Sequence, residues 1–254
     1  QDPQNLVAGA YSVLVTDANG CTATTSATIT QPSVNTTLAT THVNVLCFGD
    51  CNGTAEVLVT GGGVAPYRHS WSNGASTNVV NTLCAGNYTD TVYDFNNCFI
   101  VQNIQITQPL QLISSAIDTA RVTCYNDCDG EAKVSVVGGT LPYQFTWDNA
   151  TTDSVAINLC PGSYIVQIID LNNCIVTDTV EVLNVDSIKI QTSNIQNPLC
   201  YNNCDGFIAL TIEGGNGDYT FTWLDNQTTD SIANLCAGNY QVLVQDKLLC
   251  SNTF

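Results

Sequence analysis

The sequence contains no methionine and only five basic residues, Arg68, Arg121, Lys133, Lys189 and Lys247, against 22 acidic ones. Without clustered Lys and Arg it cannot neutralise phosphate, which excludes nucleic acid as a partner. Long apolar runs are missing as well. None approaches the roughly 18 residues needed to cross a bilayer, and no signal peptide opens the chain, so membrane insertion is not expected. Without Met, Gln1 is no initiator, and the chain reads as an internal piece of a longer one. Charge of either sign is scarce, at 11% of residues, and the net charge is −17. The surface is therefore left to Thr, Asn, Ser and Gln, with an acidic excess that favours solubility or surface binding of divalent cations. Histidine is limited to His42 and His69. His42 lies in a strand-like run, and His69 takes a position that is Phe145 and Phe221 elsewhere, so it reads as a packed ring. Ser, His and Asp form no repeating constellation, and an enzyme is not expected.

Cysteine, by contrast, is abundant: 13 in 254 residues. Their spacing repeats about every 76 residues, the signature of a tandem array. Cys47, Cys51, Cys84 and Cys98 recur as Cys124, Cys128, Cys160 and Cys174, and again as Cys200, Cys204, Cys236 and Cys250. The period divides the chain into 1–33, the back half of a module; two modules at 34–109 and 110–184; and a module at 185–254 that lacks most of its last strand. Modules this small bury only roughly 60% of their unfolded surface, so cross-links help hold them. Cysteines at fixed spacing point to an oxidising, extracellular compartment.

Within one module the hydrophobic period is two. In 110–184, QLISSAID, EAKVSVVGG, LPYQFTW, DSVAINL, PGSYIVQIID and IVTDTVEVL alternate or run apolar between Gly, Asn and Asp turns. No segment has a helical period. Six or seven short strands per module indicate an all-β chain of tandem antiparallel β-sandwiches of the immunoglobulin-like class. Trp71, Trp147 and Trp223 occupy the expected core position on the third strand. Tyr88, Tyr164 and Tyr240, with Tyr11 in the partial copy, follow a Gly as a tyrosine corner does, and are assigned to the core with their hydroxyls returned to nearby backbone.

Four cysteines allow three pairings. The first copy has Val7 at the third position yet keeps Cys21 at the fourth, which argues against third-to-fourth bonds. Two pairings stay open. The nested one is preferred: Cys47–Cys98 with Cys51–Cys84, Cys124–Cys174 with Cys128–Cys160, and Cys200–Cys250 with Cys204–Cys236, leaving Cys21 to a cysteine outside the chain. A loop of about 33 residues closed in this way stabilises a module by roughly 3–4 kcal/mol in the chain-entropy model. A four-thiolate zinc site is disfavoured because C-x3-C is not the usual C-x2-C knuckle. Asp17, Asp94 and Asp170 precede the fourth cysteine in Asn-rich segments. They read as turn residues, with calcium, which takes oxygen ligands from such loops, as the other reading. No other cofactor is indicated.

The segments CFGDCNG, GGVAPYRHSW, LCAGNY, DFNNC and ITQP, in that order within 47–109, resemble the SprB repeat. The order recurs in the next two modules, with Gly217-Asp218-Tyr219 replacing a Pro-Tyr pair and Leu183-Asn184-Val185 replacing a Gln-Pro boundary. The resemblance implies a type IX secreted, surface-exposed protein related to the giant adhesins of gliding bacteria. It implies no chemistry. The expected partners are neighbouring repeats of the same chain, further copies of the chain through strand exchange, and glycans of a cell surface, prey or substratum. Asp-Ser/Thr-aliphatic triplets at Asp90, Asp118, Asp153, Asp178, Asp186 and Asp230 resemble the O-glycosylation signal of the same bacteria. The expected function is a structural stalk or filament segment of a large extracellular adhesin-like protein. The alternative is that the modules themselves bind glycans or proteins.

Overall fold

The structure, a computed structural model, describes residues 2–31 and 35–254. Among them are 20 strands and no helix. The partial first copy is a hairpin of β1 (Gly9–Thr16) and β2 (Thr22–Ile29). The next module has β3 (Thr37–Val43), β4 (Gly53–Gly61), β5 (Arg68–Trp71), β6 (Val79–Leu83), β7 (Gly86–Tyr93) and β8 (Phe99–Ile106). The following one repeats these as β9 (Ile113–Ala120), β10 (Gly130–Val137), β11 (Gln144–Trp147), β12 (Val155–Leu159), β13 (Gly162–Ile169) and β14 (Ile175–Val182). The last has β15 (Lys189–Gln196), β16 (Gly206–Glu213), β17 (Thr220–Trp223), β18 (Ser231–Leu235), β19 (Val242–Gln245) and β20 (Ser251–Thr253).

Each full module is two three-stranded antiparallel sheets, ordered β3-β4-β6 with β5-β7-β8, and likewise in the other two. In immunoglobulin lettering these are A-B-E and C-F-G. The partial copy is an F–G pair. The chain divides into two compact units, Gln1–Pro109 and Leu110–Phe254.

Burial follows the period-two pattern. On β10, Ala132 and Val134 are buried while Lys133 and Ser135 face out. Each module has its own apolar core, centred on Trp71, Trp147 or Trp223. The indole N–H cannot be left unpaired in such a core. It donates to the carbonyl of Thr77, Asp153 or Thr229 at 2.7–2.9 Å, which pins the connection that follows. The tyrosine hydroxyls return to backbone as expected: Tyr88 to Cys84, Tyr164 to Cys160, Tyr240 to Cys236 and Tyr11 to Val7. Tyr88 and Tyr164 pack against their cores. Tyr240 does not, being 38% exposed. β20 pairs only with Leu243, Val244 and Gln245, so no neighbouring strand covers Tyr240.

The Gly of the C-[ND]-G motif has a steric reason. It starts strand B where the ladder to strand E shifts register. A Cβ on Gly130 would lie 2.6 Å from Val182 Cγ1 and 2.9 Å from the Leu159 carbonyl, closer than any side chain tolerates.

One expectation needs correction. His69 is not simply a packed ring. Its Nδ1 lies 2.6 Å from Oδ2 of Asp90, a carboxylate that is wholly buried and also accepts the Ser70 N–H. The corresponding residues are Phe145 with Val166 and Phe221 with Val242, so one polar pair replaces two apolar ones. H69F alone should cost about 1–3 kcal/mol, because it strands a buried acceptor. H69F/D90V, which restores the apolar pairing of the neighbouring modules, should recover most of that loss in thermal or urea unfolding. A double variant no more stable than H69F would refute the compensation.

Candidate functional site: the covalent module junction

Strands A, B, F and G each cross the sandwich, whereas short C lies beside the second half of F and short E beside the first half of B, so C and E make one crossing together. The A–B loop, which carries the first and second cysteines, and the E–F loop, which carries the third, lie at one end. The F–G turn, which carries the fourth, lies at the other, together with the B–C loop. Strand F alone is 8 residues long in the first two full modules, about 26 Å at a strand's rise. Second and third cysteines of one module can therefore meet, and first and fourth cannot.

The bonds follow this rule. Cys51–Cys84, Cys128–Cys160 and Cys204–Cys236 close within modules. The outer pairs of the nested arrangement do not form. Cys124 bonds Cys250 of the next module instead of Cys174, with Cα atoms 5.4 Å apart, inside the usual disulfide range. Cys200 is consequently free and exposed rather than paired with Cys250, and Cys98 is free and exposed rather than paired with Cys47. Cys47 and Cys174 are also oxidised. Cys21 is free and exposed.

Both sides of the Cys124–Cys250 bond are rigid by local chemistry. On one side is the A–B loop. The Asp129 carboxylate accepts the Thr123 N–H at 2.9 Å, and with the Thr123 side chain this bond holds the acid below its ordinary pKa. The Asp127 N–H donates to the Cys124 carbonyl. From the linker, the Asn184 side-chain oxygen accepts the Asn126 N–H at 3.0 Å. Gln108 makes the same contact to Gly49, so Asn184 replaces the Gln of the Gln-Pro boundary without loss of the bond.

On the other side is the F–G turn, built on Asp246. This carboxylate is 2% exposed. One oxygen accepts the Leu248 and Cys250 N–H groups, and the other accepts the backbone and side-chain N–H groups of Asn216 in the B–C loop. Burial opposes its ionisation, but these hydrogen bonds outweigh burial and hold its pKa below the ordinary value. Asp94 and Asp170 are buried and bonded the same way: Asp94 to Val64 and Cys98, Asp170 to Thr140, Asn172 and Cys174. Asp17 accepts from Asn19 and Cys21. The carboxylates offered to calcium in the alternative reading are thus turn caps, occupied by backbone donors. Among the described residues, no group of three or more His, Cys, Asp and Glu is placed to share a metal ion.

Packing completes the junction. Val185 belongs to the core of one module and Ile188 to that of the next, so the linker is anchored on both sides. Asn216 also donates to the Thr123 carbonyl across the junction at 3.0 Å, and Asn252 donates to the Ile188 carbonyl. Asn216 escaped notice in the sequence because a lone Asn in a loop carries no distinguishing signal, and Asn184 stood out only as a departure from the Gln-Pro boundary. The intermodule bond had none either, because the shared crossing of strands C and E shows only in how they pair.

Comparison with known proteins matches the SprB repeat family at residues 39–76, 116–152 and 192–228. The chain belongs to the SprB-repeat family. The matched stretches run from strand A to just beyond strand C. They include the C-x3-C loop and the GG…W segment of each SprB repeat, and they stop short of LCAGNY, DFNNC and ITQP. No curated protein matches the chain. Among solved structures, three N-terminal domains of the highly immunogenic outer capsid protein (Hoc) of bacteriophage RB49 are similar at a TM-score of 0.43 and 10% identity, over 86% of this chain and 96% of that one. The N-terminal eight Ig domains of Down Syndrome Cell Adhesion Molecule isoform 1.30.30 are similar at a TM-score of 0.28 and 10% identity, over 97% of this chain and 50% of that one.

The Asp246 cap has a pH signature. A carboxylate with a lowered folded pKa stabilises the fold fully above its unfolded value of about 3.9, and that stability is lost as pH falls through the folded pKa. D246A, which strands the N–H groups of Asn216, Leu248 and Cys250, should cost about 1–3 kcal/mol near neutrality. Its melting temperature should fall less steeply than the parent's below about pH 4. Parallel slopes would show that the cap does not carry the acid sensitivity.

Proposed function

We propose that the chain is a load-bearing stalk segment of a large extracellular bacterial adhesin-like protein, in which SprB repeats supply length and stiffness without catalysis. The observation that carries this reading is the Cys124–Cys250 bond. A binding domain gains nothing from a covalent tie to its neighbour, whereas a filament under tension does. The bond spans a sequence separation of 126 residues, and in the chain-entropy model it removes about 5 kcal/mol of unfolded-state freedom. The extracellular placement is supported by the oxidised cysteines and by the family, whose resemblance also implies type IX secretion.

The competing reading drew on the variable B–C loops GGGVAPY, GGTLPY and GGNGDY. Its support weakens in the second unit, where Asn216 of GGNGDY is bonded to Asp246 and across the junction to Thr123. That loop is committed to holding modules together.

The stalk reading predicts a specific mechanical signature. Residues between Cys124 and Cys250 cannot extend while the bond is intact. In single-molecule pulling from the chain ends, reduction should release at least about 400 Å of additional contour from the 126 residues of this loop at about 3.4 Å each, and the Cys51–Cys84 loop adds its own 33 residues. C124S/C250S should release part of this length without reductant, the Cys128–Cys160 and Cys204–Cys236 loops staying closed. A C124S/C250S chain with the parent's contour length before reduction would sink the proposal.

A further inference from the structure

Three cysteines remain free and exposed, Cys21, Cys98 and Cys200, and their positions in the repeat are not random. Cys200 is a first-position cysteine, like Cys124. Cys98 and Cys21 are fourth-position cysteines, like Cys250. Cys124–Cys250 is a closed junction, and the three free thiols occupy the positions of its two halves.

Both kinds of half are already in the bonded shape. The Cys200 loop repeats the internal contacts of the Cys124 loop. Asp205 accepts the Leu199 N–H at 3.1 Å as Asp129 accepts that of Thr123. Asn203 N–H donates to the Cys200 carbonyl as Asp127 N–H does to that of Cys124, and Asn202 and Asn126 share a left-handed backbone, φ 62° and 64°. The Cys98 turn likewise matches the Cys250 turn. Each has the Asp N–H donating to the cysteine carbonyl at 2.9 Å and the cysteine N–H donating to the Asp carboxylate. Asp17 and Cys21 repeat the pattern. Both ends are also accessible. Cys200 lies between Leu199 and Tyr201, which are 76% and 94% exposed, and lines an open cleft of about 800 Å³ with Ile208 and Leu235. Cys98 lines a cleft of about 470 Å³ with Asp94 and Phe99.

We propose that Cys200 is the acceptor for another SprB repeat: it forms an intermodule disulfide with a fourth-position cysteine, reproducing Cys124–Cys250, and a second copy of this chain supplies that cysteine as Cys98 or Cys21. The step needs a small-molecule disulfide such as oxidised glutathione. The Cys200 thiolate attacks it and releases one glutathione thiolate. The fourth-position thiolate of the second copy then attacks the Cys200 sulfur of the mixed disulfide and releases the other. Two thiol protons are given up, and the two electrons leave on the glutathione pair. First-to-fourth pairing is heterologous, so the product grows head to tail rather than stopping at a symmetric dimer.

The inference stands on the junction geometry and not on the stalk reading. Pulling tests the closed bond within one chain, and cross-linking tests the open one between chains, so either can fail alone. The experiment oxidises the full chain with a glutathione redox pair, followed by non-reducing electrophoresis and peptide mapping. The expected result is a reducible ladder of multimers joined through Cys200–Cys98 or Cys200–Cys21 peptides. C200S, which alters only an exposed free thiol, should remove the ladder. D205A should keep Cys200 reactive toward maleimide while slowing ladder growth, because the preset loop is lost. Monomers with Cys200 unreacted, capped by glutathione or bonded within its own chain, or dimers joined by Cys200–Cys200, would overturn the proposal, as would equal ladder growth in D205A.

Discussion

Strands A, B, F and G each cross the sandwich and short C and E cross it together, so every end loop is assigned to one end or the other by counting crossings. The rest of this structure depends on that constraint. Strand G delivers the chain to the end that carries the A–B and E–F loops. The next module's strand A must start from the end that carries the B–C loop and F–G turn. In the second unit, unlike ends of its two modules therefore meet, and whatever chemistry sits on those loops meets with them. This brings Cys124 to Cys250 and Thr123 to Asn216. The same counting separates first and fourth cysteines within a module by the length of strand F.

Given that arrangement, the loops are stiffened by hydrogen bonds rather than by burial. Loops at a module end have few apolar neighbours, and their backbone donors must still be paired. The chain pairs them with carboxylates and amides: Asp129 and Asp205 in the A–B loops, Asp94, Asp170 and Asp246 in the F–G turns, Gln108 and Asn184 at the boundaries. A buried carboxylate satisfied by several N–H donors is a strong cap. It also explains how an acidic chain with five basic residues places carboxylates inside without cationic partners. Net charge alone pointed to solubility or to divalent cations at the surface; for these buried carboxylates the backbone supplies the positive ends of the dipoles.

How much of this was legible in the sequence depends on the kind of signal. Period-two alternation revealed the strands, and the fixed Trp and Gly-x-Tyr positions revealed the core and the tyrosine corners, because packing and backbone pairing act over a few neighbouring residues. Val7 opposite Cys21 correctly excluded third-to-fourth bonds. The outer bonds were misjudged because equal spacing within a module and between modules cannot separate Cys124–Cys174 from Cys124–Cys250. Only the direction of the strands does, and that is a property of the folded sandwich. His69 was misjudged for a related reason. Its partner Asp90 is 21 residues away, and the Phe–Val pairs that it replaces become a guide only once the register between β5 and β7 is known.

The His69–Asp90 pair also bears on how such an array avoids mispairing. Identical modules in tandem can exchange strands, because any F–G hairpin fits any front half. A buried His–Asp pair in one module, where its neighbours have Phe–Val, makes a swapped pairing costly. Asp90 opposite Phe145 or Phe221 would be a buried acceptor without a donor, at about 1–3 kcal/mol. His69 opposite Val166 or Val242 would lose its partner likewise. Polar substitutions of this kind stabilise a module no better than the apolar pair, but they discriminate against the wrong register. The disulfides add to the same end, since Cys51–Cys84 and its counterparts tie strands B and F of one module together before a neighbour's hairpin can replace the native one.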